Sequence, residues 1–324
     1  MPAHTGDQGG SPGPNGPGDR QASETILDGG VSSDIRIVHS SQGNYVVKHA
    51  LEKLRVEADW HSDPARSSIE VDGLRTIAAL LGQAHAPRVL WSDASAHRFA
   101  MELIDPRYKN WKQLLLRGDV DLATARSTGR LLGLLHARSS TSADIAGRFA
   151  NTQTFVELRI RPFFERVAQR NPALASAIAR VVERIHSHRN AWVHGDYSPK
   201  NLLVDGADVV ILDCEVAHWG DARFDIAFCV AHLLLKSFRR DAAALQLLSA
   251  AAAFVTEYRR CGLDVVDGDL LQQIGCLMLA RLEGDSPVDY LRDLDARTVK
   301  RIATEFILSA STPAESNIMG ILFK

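Results

Sequence analysis

From Ile26 to Lys48 the apolar residues come in short runs broken by small and polar ones. Ile26-Leu27, Ile35-Arg36-Ile37-Val38 and Tyr45-Val46-Val47-Lys48 are separated by Asp28-Gly29-Gly30-Val31-Ser32-Ser33 and by Ser40-Ser41-Gln42-Gly43-Asn44. Runs this short between turn residues predict a three-stranded antiparallel meander. Alternation along the third run places Lys48 on the face opposite Val47. From Pro64 the period lengthens, and Ile69, Leu74, Ile77 and Leu81 predict a helix with Glu70 on the flank of its apolar face. Residues 86–91 and 99–104 read as two further strands, the second ended by Pro106. The expected unit is a five-stranded antiparallel sheet with one helix, closing at Ile104-Asp105.

Beyond that boundary the pattern is mostly helical. Leu122, Ala125, Gly129, Leu132 and Leu135 share a face, and Phe155, Leu158 and Phe163 suggest a second helix ending before Arg170. Asn171 is placed to cap, and Pro172 to open, a helix through Leu174, Ile178, Val181 and Ile185. Later helices are expected at 225–236, 241–260, 269–282 and 296–308, with no fixed-period repeat. Residues 1 to about 23, rich in Gly, Pro, Ser and Asp, offer almost nothing to bury and should be a disordered tail. The chain therefore divides into 1–23, a small lobe at 24–104 and a helical lobe at 105–324.

One stretch breaks the helical pattern. Ala191-Trp192-Val193 leads into His194-Gly195-Asp196-Tyr197-Ser198-Pro199-Lys200-Asn201. Leu202-Leu203-Val204 and Val209-Val210-Ile211-Leu212 follow, with Asp205-Gly206 as a hairpin signal between them. The hairpin returns Asp213 beside Asn201, so that Asp196, Asn201 and Asp213 converge on one rim. Phosphoryl transfer needs such a set: one carboxylate to accept or orient the hydroxyl proton, and oxygen donors for a metal among the phosphates. Because the transition state demands little base strength, the position of Asp196 matters most. Asn201 and Asp213, one neutral and one charged oxygen donor, suit Mg²⁺. At the first turn, Gly29 and Gly30 would let backbone approach phosphate oxygens, with Ser32 and Ser33 as added donors.

Asp196-x4-Asn201 followed by a strand-borne Asp213 resembles the kinase catalytic loop, with His-Gly-Asp where protein kinases have His-Arg-Asp. Together with Gly220-Asp221-Ala222-Arg223-Phe224-Asp225-Ile226-Ala227, it resembles the aminoglycoside phosphotransferase and methylthioribose kinase-like enzymes, small-molecule relatives of protein kinases. The resemblance covers roughly residues 26 to 300 and is specific in the hairpin. It implies an α+β, bilobal, protein-kinase-like fold that binds ATP with Mg²⁺. By the same resemblance Lys48 would hold the α- and β-phosphates and pair with a helix glutamate. Glu70 fits best through the pattern Arg66-x-x-x-Glu70, with Glu52 and Glu57 as competitors. The segment Met101-Glu102-Leu103 resembles the linker whose backbone bonds adenine. Leu134-Leu135-His136 resembles the family's helix terminus, with His136 a structural contact. His194 and Asp225 are expected to fix the loop. Lys200 fits either solvent or the γ-phosphate.

Where protein kinases carry Asp-Phe-Gly this chain has Asp213-Cys214-Glu215, and Ala-Pro-Glu is missing. The acceptor is therefore expected to be a small hydroxylated molecule, neither protein nor nucleic acid. Glu215 could serve metal or substrate. Arg281, ahead of Gly284-Asp285-Ser286-Pro287, suits an anionic or hydroxyl-rich substrate, whereas Glu283, Asp285, Asp289 and Asp293 could instead draw a polyamine. The rival from another class is a catalytically silent kinase-fold module that only binds nucleotide.

Composition removes other classes. Of 324 residues, 45% are hydrophobic and 23% charged, ordinary for a globular chain of about two lobes. A net charge of −2 gives no basic field for nucleic acid or anionic lipid. No apolar run approaches a membrane span, and no secretory h-region opens the chain. Cys214, Cys229, Cys261 and Cys276 form no Cys-x-x-Cys pair and read as reduced thiols of a cytoplasmic protein, monomeric or homodimeric. No Gly-x4-Gly-Lys-Ser/Thr occurs, which disfavours a P-loop enzyme.

Overall fold

The computed structural model describes residues 23–27, 32–55, 60–240, 243–265 and 268–309. Gly29, Gly30 and Glu57 lie outside these residues, as does the expected tail through residue 22. The first layer is an antiparallel sheet of β1 (Ser23–Ile26), β2 (Ser33–Ser40), β3 (Gly43–Ala50), β4 (Val89–Asp93) and β5 (Arg98–Glu102). Its spatial order is β1-β2-β3-β5-β4. Along β3 the inner face carries Val46, Lys48 and Ala50, all buried, while Val47 faces the other way. Helix α1 (Arg66–Leu81) packs on that inner face through Val71, Leu74 and Ile77.

The chain then adds β6 (Lys109–Asn110), α2 (Trp111–Arg117), α3 (Leu122–Ser139) and α4 (Ala143–Arg148). A continuous helical stretch follows, in which α5 (Gln153–Phe155) widens into a π-helical segment, Val156–Glu165, before α6 (Arg166–Arg170). Pro162 inside that segment has no N–H to offer and disfavours an ordinary α-helical ladder. Next come α7 (Ala175–Ser187), β7 (Ala191–Val193), β8 (Leu202–Asp205), β9 (Asp208–Ile211) and β10 (His218–Gly220). The last helices are α8 (Arg223–Ser237), α9 (Ala244–Cys261), α10 (Gly268–Glu283) and α11 (Ala296–Leu308).

Asn171 corrects the expected start of α7. Its side chain caps nothing, because Nδ2 donates to Val167 O and to Glu283 instead. Pro172 opens a 3₁₀ turn, Pro172–Leu174, and the α-helix begins only at Ala175.

The helical layer is built around α8, every residue of which is buried. A helix apolar nearly all round belongs in the middle of a core, and α9 and α10 flank it. Helix α3 lies so close to α9 that a Cβ on Gly129 would sit 2.1 Å from Phe254 O. The hairpin pairs Leu202 with Ile211 and Asp205 with Asp208, turning through Gly206 at φ +58°. Strand β6 joins β8, while β7 pairs with β10. Among the described residues no helix is long and apolar enough to cross a membrane, and the four cysteines are free thiols.

Candidate functional site

Buried β7 delivers the chain to His194, and one carboxylate then shapes the loop. Asp225, in the first turn of α8, accepts from the His194 N–H at 2.7 Å and the Gly195 N–H at 2.8 Å, with His136 Nε2 at 3.2 Å. Burial pushes this carboxyl up, and the bonds from His136 and the loop outweigh it, so its value stays below the usual carboxylate range. His194 Nδ1 accepts the Asp196 N–H at 3.2 Å, and Nε2 lies 2.9 Å from Leu212 O. The tautomer with a proton on Nε2 satisfies both and ties the loop to the end of the hairpin. Gly195 sits at φ +76°, where a Cβ would meet Val216 O at 2.6 Å, so a larger residue does not fit. Asp225→Asn should therefore lower stability by about 3 kcal/mol, since an amide cannot serve every donor the carboxylate serves. Urea unfolding measures this, and a loss below about 1 kcal/mol would contradict it.

Asp196 emerges from this frame half-sheltered. Its Oδ2 accepts from Asn201 Nδ2 at 2.9 Å and lies 3.1 Å from Arg159 Nη2. Oδ1 has no protein partner among the described residues. Arg159 also donates from Nε to Gly195 O at 2.8 Å, so it braces the loop and its acid together.

The second cluster joins the two layers. Lys48 Nζ lies 2.7 Å from Glu70 Oε1 and 2.7 Å from Asp213 Oδ1. Of the two described glutamates weighed for Lys48, Glu52 and Glu70, Glu70 is the one in contact. Burial disfavours the ammonium, but Asp213 and Glu70 outweigh it and keep Lys48 protonated. Burial likewise opposes the Asp213 carboxylate, and Lys48 and Lys200 hold it ionised. Burial pushes Glu70 up to about 8, against the pull of Lys48 and with Asp213 and Glu215 adding to it. Glu215 is turned to Arg66, whose Nε meets it at 3.0 Å. The remaining Arg66 donors go to the carbonyls of Ser32, Leu51, Ser62 and Asp63.

Glu70, Asp213 and Glu215 bring carboxylate oxygens within 4.8 Å of one another. Side-chain exposures of 2%, 19% and 8% single out Asp213 as the acid that reaches the open side. Asp213 adopts φ +66°, a conformation only Gly, Asn and Asp take readily, so its side chain is aimed by the backbone. Asn201 gives its amide nitrogen to Asp196 O and Oδ2, which leaves Oδ1 as the free end of the group. Hard oxygen donors, one anionic and one neutral, fit a small divalent cation.

Both clusters open into one cavity of about 510 Å³, within the range of small-molecule sites. Its lining brings Asp196, Asp213 and Glu215 together with Arg281, Lys236 and Tyr290. Ser33 is buried in β2, while Met101 and Leu103, at and just past the end of β5, do not line this cavity. Lys200 lines it and its carbonyl accepts from Asn110 Nδ2 at 2.6 Å.

Three contributors escaped the sequence reading: Arg159, and His232 with Lys236 on α8. Phe228, His232 and Lys236 recur every four residues along α8 and form one stripe facing the cavity. That spacing of polar residues inside an otherwise apolar helix was the available signal. Three of the four acids near the C-terminus are paired, Glu283 with Lys300 at 2.6 Å, Asp285 with Arg166 at 2.8 Å and Asp289 with Lys112 at 2.6 Å, while exposed Asp293 does not line the cavity.

Residues 23–263 match the model of the phosphotransferase enzyme family. A methylthioribose kinase from a Geobacillus species is 24% identical over 250 residues, covering 68% of this chain and 61% of that protein. The chain thus spans about three fifths of the length of that curated relative. Among solved structures, an amicoumacin kinase in complex with AMP-PNP and Ca²⁺ aligns with a TM-score of 0.58 at 16% identity, covering 88% of this chain and 87% of that one. An aminoglycoside-3′-phosphotransferase of type VIII aligns with a TM-score of 0.52 at 18% identity, covering 80% and 92%. At these identities the two structures speak to the fold, which is that of the protein-kinase-like phosphotransferases.

Proposed function

The chain belongs to the phosphotransferase enzyme family, and we propose that it moves the γ-phosphoryl group of ATP to a hydroxyl of a small molecule. The observation that carries this reading is Lys48 held at 2.7 Å by both Glu70 and Asp213, with Asp196 on the same cavity. On this reading the nucleotide lies between a small lobe at 24–104 and a helical lobe at 105–324. Lys48 grips its phosphates, Ser32 borders them, and Met101 and Leu103 lie toward the base. Asn201 and Asp213 would hold Mg²⁺, which when bound neutralises charge on the β- and γ-phosphates.

Asp196 acts on the acceptor. Arg159 and Asn201 fix its Oδ2, so Oδ1 is left to take a hydrogen bond from the attacking hydroxyl and receive its proton as the new P–O bond forms. Orientation is the main contribution, because the bond to the leaving oxygen is largely broken at the transition state. Arg66 keeps Glu215 away from the phosphates, where its charge would repel them.

ADP release from Mg-ATP, measured over a panel of hydroxylated metabolites, tests the reading. A chain that binds nucleotide and never releases ADP with any acceptor would instead be the silent binding module. Lys48→Met should reduce transfer about a hundredfold through lost phosphate positioning. Glu70→Gln should cost only about tenfold, because the amide oxygen can still accept from Lys48 Nζ and Asp213 keeps its charge beside the ammonium. Steady-state kinetics of both variants checks the ranking, and the reverse order would reject it.

A further inference from the structure

Two buried cations of the cavity, Lys236 and Arg281, have no anion of their own. Lys236, 1% exposed, reaches only neutral oxygens: His232 O at 3.2 Å and Tyr290 Oη at 3.5 Å. Arg281 donates to Ser286 Oγ at 3.0 Å, and its buried Nε has no partner among the described residues. Neither side chain has a carboxylate within ion-pair distance among the described residues. Of the nearby acids, Asp289 is paired to Lys112 at 2.6 Å and Asp196 to Arg159 at 3.1 Å. Phe163 and Phe228 line the same cavity, and the Lys236 ammonium lies 5.2 Å from the Tyr290 ring centroid. A buried cation lacking a counter-charge is costly unless something brings one.

We propose that the acceptor carries an anionic group, a carboxylate or a phosphate ester, seated between Lys236 and Arg281. This rests on the phosphotransferase reading and names its substrate class. The same lining opposes a polycationic acceptor, because Lys236 and Arg281 would repel it and Asp289 is already paired to Lys112. Tyr290 and Ser286 supply hydroxyls beside the two cations, and the phenylalanines face the acceptor's carbon skeleton. Titration is consistent with a missing anion. Burial first, then Lys112 of α2, with Arg281 of α10 adding to them, pull Lys236 down to about 7, against support from Cys229 on its own helix and from Asp289. His232, one turn away, is held well below its ordinary value by burial and the same cations.

Calorimetry tests the proposal on the full chain, with the nucleotide end filled by Mg-AMP-PNP. The matched probes are gluconate, glucose 6-phosphate, glucose and glucosamine, with inorganic phosphate as the simplest anion. The expected result is that the anions bind and the neutral and cationic sugars bind at least tenfold more weakly. Gluconate against glucose 6-phosphate decides between carboxylate and phosphate. Lys236→Met and Arg281→Met should each erase the preference while the protein stays folded, since an apolar isostere relieves a buried charge. At pH 8 the anion should bind with uptake of close to one proton, read from the dependence of the enthalpy on buffer ionisation, and Lys236→Met should abolish the uptake. Glucose or glucosamine binding as tightly as the anions would overturn the proposal. So would an anion preference unchanged in both variants, or no Lys236-dependent binding of any anion. If the nucleotide analogue itself fails to bind while anions still do so through Lys236, the phosphotransferase reading falls and the anion seat stands.

Discussion

Asp196→Ala should fold, bind Mg-ATP and transfer phosphate about a thousandfold more slowly than the parent chain, a barrier rise of about 4 kcal/mol. The fold should survive because the loop is fixed by Asp225 through the His194 and Gly195 N–H groups, neither of which Asp196 touches. Arg159 would lose its acid but keep its bonds to Gly195 O and Leu158 O. Nucleotide affinity should hold because, on the proposed reading, the phosphate contacts belong to Lys48 and its partners. Asp196→Asn separates the two parts of the role. It preserves volume and a hydrogen-bonding end, and removes the negative charge that receives the proton. Matching thousandfold losses in both variants would assign the effect to charge. Activity of the alanine variant within about tenfold of the parent, with ATP or GTP as donor, would remove Asp196 from the reaction.

Much of the arrangement was legible because it is local or periodic. The meander, the face carrying Lys48, the hairpin that returns Asp213 and most helix spans follow from alternation, turn residues and apolar spacing within a few dozen positions. Arg159 was not legible. It lies in the π-helical segment around Pro162, where the 3.6-residue period no longer says which residues share a face. Strand β6 was missed because two residues, Lys109 and Asn110, carry no pattern and pair only because β8 is there to receive them. The acidic cluster looked like a place for a polycation because its partners lie far along the chain. Lys112 stands 177 positions from Asp289 and Arg166 stands 119 from Asp285. Glu215 was undecided for the same reason, its partner Arg66 being 149 positions away. Pairing across such distances decides which charges remain to meet a ligand, and only tertiary structure supplies it.

Asp213→Asn should cost the most of any single change at the proposed metal site, roughly a thousandfold or more in rate, with a smaller loss of nucleotide affinity. A group facing the charge that develops between the β- and γ-phosphates contributes more in the transition state than in the ground state. Asparagine is the informative substitute because it accepts the left-handed backbone at φ +66° about as readily as aspartate. Alanine there would add backbone strain and blur the result. Asn201→Ala should be milder, about a hundredfold, and its loss should divide in two. One part is the oxygen donor, which water can replace when Mg²⁺ is raised. The other is the Nδ2 bond to Asp196 Oδ2 at 2.9 Å, which Mg²⁺ cannot restore. Raising Mg²⁺ should therefore rescue Asn201→Ala in part and Asp213→Asn hardly at all. Rate against Mg²⁺ shows the rescue, and calorimetric binding of Mn²⁺ with ADP reads the donor set without turnover. Complete and equal rescue of both variants would mean that neither is a principal ligand. The cation site would then have to be redrawn on Glu70 and Glu215, the other two carboxylates of the trio that meets within 4.8 Å.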